Sequence, residues 1–451
     1  MKKAVTYLVF ALLATTSLQA QENKKWTLKE CIDYALEKNI QLQQDKISLQ
    51  ESEVDVKSAK AALFPNLSFS TSQSIVNRPY SENSNMISGS EVISSNKKTT
   101  YNGNYSLSSR LTVWNGNKNL NNIKQQKINS KIAGLTVAQT ENSLKEQITQ
   151  LFIQILYANE SVTINKSTVE LSKAQYERGK QLYGAGSISQ ADLAQLSAQV
   201  SSDEYQVISA QSSLDNYKLQ LKQLLEIDNS EEMVLSLPQL DDVGVITPLP
   251  DKQEIYNIAL SSRPEIESGK LSVENSDLSV SIAKAGYYPT LSLSASSATN
   301  NVSTNDKSFG SQIKYGLNNQ IGLTLSIPIF NNRETKSSVE KAKMQKDYYE
   351  LELLNKQKGL YKEIESMWLD AKNAQQQFEA AKSKLESTQI SFNMVNEQFN
   401  LGMKNIVELL TVKNNLLSAS QEKIQAKYMA ILNRSLLEFY AGQDPVNSID
   451  K

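Results

Sequence analysis

The sequence contains no histidine, and its 451 residues include a single cysteine, Cys31. The first absence removes the commonest general base and the commonest nitrogen ligand for metals. The second rules out an internal disulfide and any thiolate cluster. There is no phosphate-binding loop, nucleophile elbow or acidic metal-binding loop. The reading is therefore of a chain with no catalytic, cofactor or metal residues, and not of an enzyme. Nine prolines and sixteen glycines are too few to punctuate many short elements, so a few long ones are expected. Neither sign of charge is in surplus: the formal net charge is −1, which gives no reason to expect a nucleic-acid partner.

The first twenty residues have the pattern of an export signal. Lys2 and Lys3 supply a positive start, Ala4 to Ala14 is almost wholly apolar, and Leu18-Gln19-Ala20 places a small residue at the cut. Gln21, not a cysteine, follows the cut, which argues against a lipid anchor. Cleavage removes two lysines and no acid, taking the net charge to −1 − 2 = −3. No later segment has the length and apolarity of a membrane helix, which needs about 20 apolar residues.

What the chain does contain is a duplication. Lys60-Ala-Ala-Leu-Phe-Pro65-Asn-Leu-Ser-Phe-Ser70 returns as Lys284-Ala-Gly-Tyr-Tyr-Pro289-Thr-Leu-Ser-Leu-Ser294, at an offset of 289 − 65 = 224. Ala35-Leu36 pairs with Ala259-Leu260 at the same offset. Two tandem structural repeats follow, 21–227 and 251–441, joined by an inter-repeat segment 228–250 and ending in a tail 442–451. Each is read as helix, β-hairpin, long helix, tip turn and returning helix. In the first repeat the last four span 65–114, 117–182, 183–189 and 190–225. In the second they span 289–330, 333–399, 400–405 and 406–440.

In the first repeat the opening helix is expected over Leu28 to Ala62, with apolar positions at helical spacing and no internal Gly or Pro. Pro65 ends it, because proline disfavours helical geometry in the residue before it. The period then changes to two. Leu67 and Phe69 alternate with Ser68 and Ser70, a polar Ser/Asn-rich loop runs from about Asn77 to Thr100, and a returning strand follows. On that strand Tyr101, Gly103, Tyr105, Leu107, Leu111 and Val113 share one face, while Asn102, Asn104, Ser106, Ser108, Arg110 and Thr112 share the other. The second hairpin repeats the pattern with Leu291, Leu293 and Ala295, then Ile321, Leu323, Leu325 and Ile327. Such alternation suits a sheet with one apolar and one wet face.

Neither long helical segment contains a proline, and at 1.5 Å per residue each reaches about 100 Å. Their apolar residues form heptad seams, Leu144, Ile148, Leu151, Ile155 and Leu360, Ile364, Met367, Ala371. Each helix runs into a glycine-marked turn, Tyr183-Gly-Ala-Gly186-Ser and Phe399-Asn-Leu-Gly402-Met, at an offset of 402 − 186 = 216. The segment between the repeats, with Glu231, Glu232, Asp241 and Asp242 among Pro238, Pro248 and Pro250, reads either as a linker or as a belt packed on the helices. Val234, Leu235, Leu237, Val243, Val245 and Ile246 favour the belt.

Four half-apolar strands per chain have free edges that invite aggregation unless paired, and closed membrane barrels are not expected below about eight strands. Other copies are needed for closure. Tyr101, Tyr105, Trp114, Tyr287, Tyr288 and Phe330 stand near strand ends, where aromatic girdles belong. Pro65 and Pro289 mark the helix-to-strand junctions.

The order of these parts resembles the TolC family of outer-membrane efflux proteins. The resemblance is carried by the strand exits Val113-Trp-Asn-Gly and Ile329-Phe-Asn-Asn and the tips Gly186-Ser-Ile-Ser-Gln-Ala-Asp-Leu193 and Gly402-Met-Lys-Asn-Ile-Val-Glu-Leu-Leu410. It covers essentially all of the mature chain. It implies a mixed α and β fold, with a long antiparallel α-helical coiled-coil barrel continuing a transmembrane β-barrel of four strands per protomer. It further implies a homotrimer in outer-membrane lipid with a periplasmic helical portion. Its role would be the exit duct of a tripartite efflux pump or type I secretion system, engaged by a periplasmic adaptor protein and an inner-membrane transporter. The family pattern places a gate at the tips. There Glu408 takes the position of a gate aspartate, Lys404 that of a gate arginine, and Asp192 is the acid of the first repeat. Thr411 replaces a second aspartate, and Phe399 replaces a tyrosine. Gly184, Gly186, Ser187, Gly402 and Met403 fall where the family docks its adaptor. On local grounds alone, Ser189-x-x-Asp192 and Asn405-x-x-Glu408 also read as helix caps. A coiled-coil structural protein or surface adhesin of the cell envelope is the alternative, but it has no use for two half-apolar hairpins.

Overall fold

The computed structural model describes residues 25–80, 84–88, 91–95, 98–228, 233–238, 241–444 and 446; the export signal expected over residues 1–20, Glu231 and Glu232 lie outside them. In chain order the elements are β1 (Lys25–Trp26), α1 (Leu28–Lys38), α2 (Ile40–Ala61), β2 (Asn66–Asn77), β3 (Ser84–Ser88), β4 (Glu91–Ser95) and β5 (Thr99–Trp114). Then come α3 (Lys118–Gly184), α4 (Gln190–Leu224), β6 (Val234–Leu235), α5 (Lys252–Ser262), α6 (Pro264–Lys284) and β7 (Thr290–Val302). The chain ends with α7 (Phe309–Tyr315), β8 (Asn318–Ser326), α8 (Glu334–Asn400) and α9 (Ile406–Tyr440). The duplication is exact in length: α3 and α8 have 67 residues each, and α4 and α9 have 35 each.

Three sequence expectations change. The single opening helix is two, broken at Asn39. There the backbone turns extended, the side-chain Oδ1 accepts from the Leu42 amide at 3.1 Å, and Nδ2 donates to the Leu224 carbonyl at 3.3 Å. The second repeat breaks at the equivalent Arg263, before Pro264 (263 − 39 = 224). The polar loop 77–100 carries an antiparallel ribbon, β3 with β4, registering Met86 against Ile93. The second hairpin's connection carries α7, started by the Ser308 side chain accepting from the Ser311 amide.

The chain divides into two units. Unit 2 is Lys46–Thr136 with Glu267–Asn355, and it holds the sheet β2-β5-β7-β8, antiparallel throughout. Register places Phe69 beside Leu107, Leu111 beside Leu293, and Leu293 beside Leu323, so one face is a continuous apolar band. The other face is polar, with the Ser68 and Ser108 hydroxyls 2.9 Å apart. A bulge between Thr112 and Trp114 sets Trp114 opposite Leu291. That extra residue keeps the tryptophan on the apolar face and in edge contact with Tyr288, centroids 6.2 Å apart. The band is exposed, Leu67 to 73% and Ile321 to 81%. Among the described residues, the outer edges of β2 and β8 have no strand partner.

Pro65 and Pro289 each stand immediately before a strand. Both follow a tight turn after the helix, with Phe64 N–H donating to Ala61 O at 3.0 Å and Tyr288 N–H donating to Ala285 O at 3.1 Å. The helical parts of this unit are joined by polar ties, such as Gln125 Nε2 to Ser279 Oγ at 2.8 Å and Lys346 to Asp277 at 2.7 Å.

Unit 1, Met1–Asp45 with Val137–Ile266 and Lys356–Lys451, is helical around a core drawn from both repeats. Leu144, Ile148, Phe152 and Ile155 of α3 pack with Leu214 and Leu221 of α4, with Ile424, Tyr428 and Leu432 of α9, and with Leu28 and the buried Cys31 of α1. Each such side chain contributes about 1.5–3 kcal/mol on burial. The inter-repeat segment is tied down. Strand β6 pairs in parallel with β1, and Val245 is buried against Phe378 and Ala430. Gln375 Nε2 donates to the Val245 and Thr247 carbonyls at 2.9 and 2.8 Å, and Asp242 meets Lys423 at 2.7 Å and Lys427 at 3.2 Å. No described helix is long and apolar enough to cross a membrane.

The candidate site at the helical tips

Both tips are built by the same backbone device. At the end of α3, the Ser187 N–H reaches Leu182 O at 2.8 Å and the Gly186 N–H reaches Tyr183 O at 2.9 Å. At the end of α8, Met403 reaches Gln398 O at 2.8 Å and Gly402 reaches Phe399 O at 2.9 Å. These paired bonds satisfy the last carbonyls of each helix and require a left-handed residue between them. Gly186 (φ 73°) and Gly402 (φ 75°) supply it without steric cost. Gly184, at the end of α3, has open space around it.

The returning helices start on capping boxes. The Asp192 amide donates to Ser189 Oγ at 3.1 Å, while Asp192 Oδ2 accepts from the Ser189 amide at 3.0 Å and hydroxyl at 2.8 Å. In the second tip the Glu408 amide donates to Asn405 Oδ1 at 2.9 Å, and Glu408 Oε2 accepts from the Asn405 amide at 3.3 Å. The Lys404 ammonium adds a contact to Glu408 Oε1 at 2.6 Å. Bonds from the Ser189 backbone and hydroxyl hold the Asp192 carboxyl below its ordinary range, and the Lys404 contact followed by the Asn405 amide does the same for Glu408. Thr411 Oγ1 donates back to Val407 O at 2.7 Å.

Phe399 differs from its polar neighbours. It is buried with Leu196, Phe392, Ile406, Leu409 and Leu410 in a small tip core, so it sets helix spacing and offers nothing polar. The sequence reading brought together Lys404 and Glu408, and the structure makes them an ion pair.

Two polar ties were missed. Arg178 Nη2 donates to Asn400 O at 2.7 Å, holding the end of α3 to the end of α8. Further along, the Lys413 ammonium of α9 bonds both Asp203 of α4 and Ser172 of α3, and the Ser172 hydroxyl also donates to Asp203. The Lys413 and Asp203 side chains are 1% and 4% exposed. Burial pulls the Lys413 ammonium below its ordinary value, opposed by the Asp203 carboxylate. The only sequence signal for this triad is charge at otherwise apolar helical positions.

A duplicated set of half-apolar hairpins, very long paired helices and glycine-turned tips is the architecture of outer-membrane channels. The structure of CusC has the same fold, with a TM-score of 0.79 over 94% of this chain and 95% of that one at 18% identity. The family described as outer membrane efflux protein matches residues 31–226 and 255–443, and the chain belongs to it. Membership places the chain in the outer membrane. Among similar proteins, alkaline protease secretion protein AprF of Pseudomonas aeruginosa is 22% identical over 67% of this chain and 63% of its own length. Outer membrane protein TolC of Escherichia coli is 23% identical over 63% and 58%. The chain thus spans less than two thirds of either relative.

Proposed function

We propose that this chain is the outer-membrane exit duct of an efflux pump or a type I secretion system. Three copies contribute four strands each to a closed twelve-stranded barrel, with the apolar band toward lipid and the serine- and asparagine-rich face toward a wet lumen. The observation that carries this is the exposed apolar face on a sheet with two open edges. In water it would aggregate; in a bilayer, closed by further copies, it is satisfied. From Tyr105 to Trp114 β5 advances nine residue steps, about 31 Å of strand at 3.4 Å each. At a tilt of about 40° that rises roughly 23 Å, close to the apolar height of an outer membrane. Tyr101, Tyr287, Tyr288 and Phe330 flank the same band.

The duct is passive and gated at the periplasmic tips by Lys404 and Glu408, with Asp192, Thr411 and the packing of Phe399 supporting them. The turns at Gly184, Gly186, Ser187, Gly402 and Met403 dock a periplasmic adaptor, which joins the duct to an inner-membrane transporter. The exposed Leu401, Met403 and Val407 give that surface its apolar character. Pro65 and Pro289 mark where helix gives way to barrel. In planar bilayers, Lys404→Ala with Glu408→Ala raises single-channel conductance; an unchanged conductance would remove these two residues from the gate.

A further inference from the structure

The apolar face of the sheet changes character partway along its strands. From Leu291, Leu325 and Trp114 up to Leu107 and Phe69 it is largely apolar; beyond that level the same face carries Thr71, Gln73, Tyr105, Thr299 and Asn301. A side chain at Gly103 would collide with Gln73 and Asn301, whose amides lie across the bare glycine, and Gln73 Nε2 donates to the Tyr105 hydroxyl at 2.9 Å. The apolar band therefore ends at Tyr105, a ring with one apolar and one polar end.

Helix α7 sits at that level. Thr299 Oγ1 donates to the Ile313 carbonyl at 2.9 Å, the Val302 N–H donates to Gln312 Oε1 at 2.8 Å, and the Phe309 ring meets Tyr105 edge-on with centroids 6.3 Å apart. Gln312 Nε2 donates in turn to the Lys307 carbonyl at 2.8 Å. Seven residues are too few for a helix to persist alone in water, so these ties to the sheet hold it in place. Thr299 and Tyr105 belong to the face that carries the apolar band, which puts α7 on the outside of the barrel and not in its lumen. Phe309 and Tyr315, with Leu317 just after the helix, are exposed. Lys307 and Lys314 are exposed too, against one acid, Asp306, between 303 and 317. The Lys314 ammonium stands 5.6 Å from the centre of the Tyr315 ring.

We infer that α7 is an interfacial anchor. Phe309, Tyr315 and Leu317 sit at the boundary between acyl chains and headgroups in the leaflet farther from the helical tips, and Lys307 and Lys314 bind the anionic phosphate groups of lipid headgroups there. Resting on the membrane reading proposed above, this adds to it a lipid class and the residues that meet it. Lipid is the occupant because α7 continues the apolar band without a gap, because aromatic rings belong at headgroup level, and because a surplus of lysines beside exposed apolar side chains is what holds a helix in an anionic interface. The first hairpin's connection carries the β3–β4 ribbon in place of such a helix. Each copy therefore contributes one α7, and a ring of three fixes how deep the barrel sits.

Fluorescence quenching in lipid nanodiscs tests the anchor. In full-length chain carrying Cys31→Ser, a dye is placed on Gly310→Cys, where a side chain has open space, on Ile321→Cys in the apolar band, or on Gln320→Cys on the opposite face. Discs of phosphatidylcholine contain a small share of either phosphatidylcholine or phosphatidylglycerol carrying a nitroxide near the top of its acyl chain. The Gly310 dye is expected to be quenched by both lipids, and by phosphatidylglycerol at a lower share, about fivefold lower for each lysine engaged. Lys307→Gln with Lys314→Gln removes that difference and leaves the Ile321 dye unchanged. A Gly310 dye quenched no more than the Gln320 dye would overturn the anchor, whether the helix stands in water or is covered by another copy; aqueous iodide, which reaches only the first, tells the two apart. A preference for phosphatidylglycerol that survives the double glutamine variant would overturn the roles of the two lysines. Loss of lipid quenching at Ile321 would overturn the membrane reading itself, a failure distinct from either of these.

Discussion

Replacing Lys413 by methionine tests the buried triad. Methionine fills most of the volume but leaves the Asp203 carboxylate, 4% exposed, with only the Ser172 hydroxyl and the Gln199 amide at 2.9 Å for company. Removing one partner of a buried pair costs about 3–5 kcal/mol, because the other charge stays out of water. At about 1.4 kcal/mol per factor of ten, local opening around the triad becomes roughly 10² to 4 × 10³ times more populated. Hydrogen–deuterium exchange reads this directly, as faster exchange of amides near Ser172, Asp203 and Lys413 with the distant sheet unaffected. The double variant Lys413→Met with Asp203→Leu removes both charges, and its exchange should return to that of the parent chain or below it. Exchange unchanged in the single variant, or a double variant as open as the single, would refute the reasoning that a compensated charge pair holds α9 to α3 and α4.

Further predictions concern the turns, the caps and the belt. Gly402→Ala costs about 1–2 kcal/mol of tip stability through left-handed strain alone, since a Cβ there has open space; exchange of the flanking amides is the readout, and no change would contradict the turn's role. Glu226 occupies the left-handed position (φ 56°) that Gly442 fills in the second repeat, so Glu226→Gly relieves about 1 kcal/mol of strain, partly offset by unfolded-chain entropy, and slows opening at the end of α4. The lowered carboxyls of Asp192 and Glu408 stabilise the caps fully above their ordinary values of 3.8 and 4.5, and that contribution is lost as pH falls below them. Fraying of the tips, followed by exchange corrected for pH, should therefore begin only in that acid window, and onset near neutrality would count against it. Gln375→Leu leaves two inter-repeat carbonyls without their donor and costs about 1–3 kcal/mol, seen as earlier proteolysis between 241 and 250.

Much of this was legible because it is local. Tip glycines, capping boxes and hairpin alternation each lie within a few residues of their partners, and the duplication shows each of them twice. Lys404 and Glu408 are four positions apart across the start of α9, so the resemblance to the family's tip pattern named both, while their ion pair came only from the structure. The triad could not be read at all, because Lys413 and Asp203 are separated by 210 positions and meet only once three helices pack. The break at Asn39 carried a weaker signal, an asparagine able to cap the next turn, hidden by the absence of Gly or Pro. The β3–β4 ribbon and α7 lie in polar connections where hydrophobic periodicity is faint. The Trp114 bulge inserts a residue that simple alternation cannot foresee.

In the proposed duct, copies of this chain close one membrane barrel that their helices continue. Electron microscopy of the purified full-length protein in lipid nanodiscs tests it most directly. Three copies around one axis are expected, with twelve strands inside the lipid disc and the helices continuing the barrel outside it. Single copies, or a sheet lying outside the lipid, would contradict it.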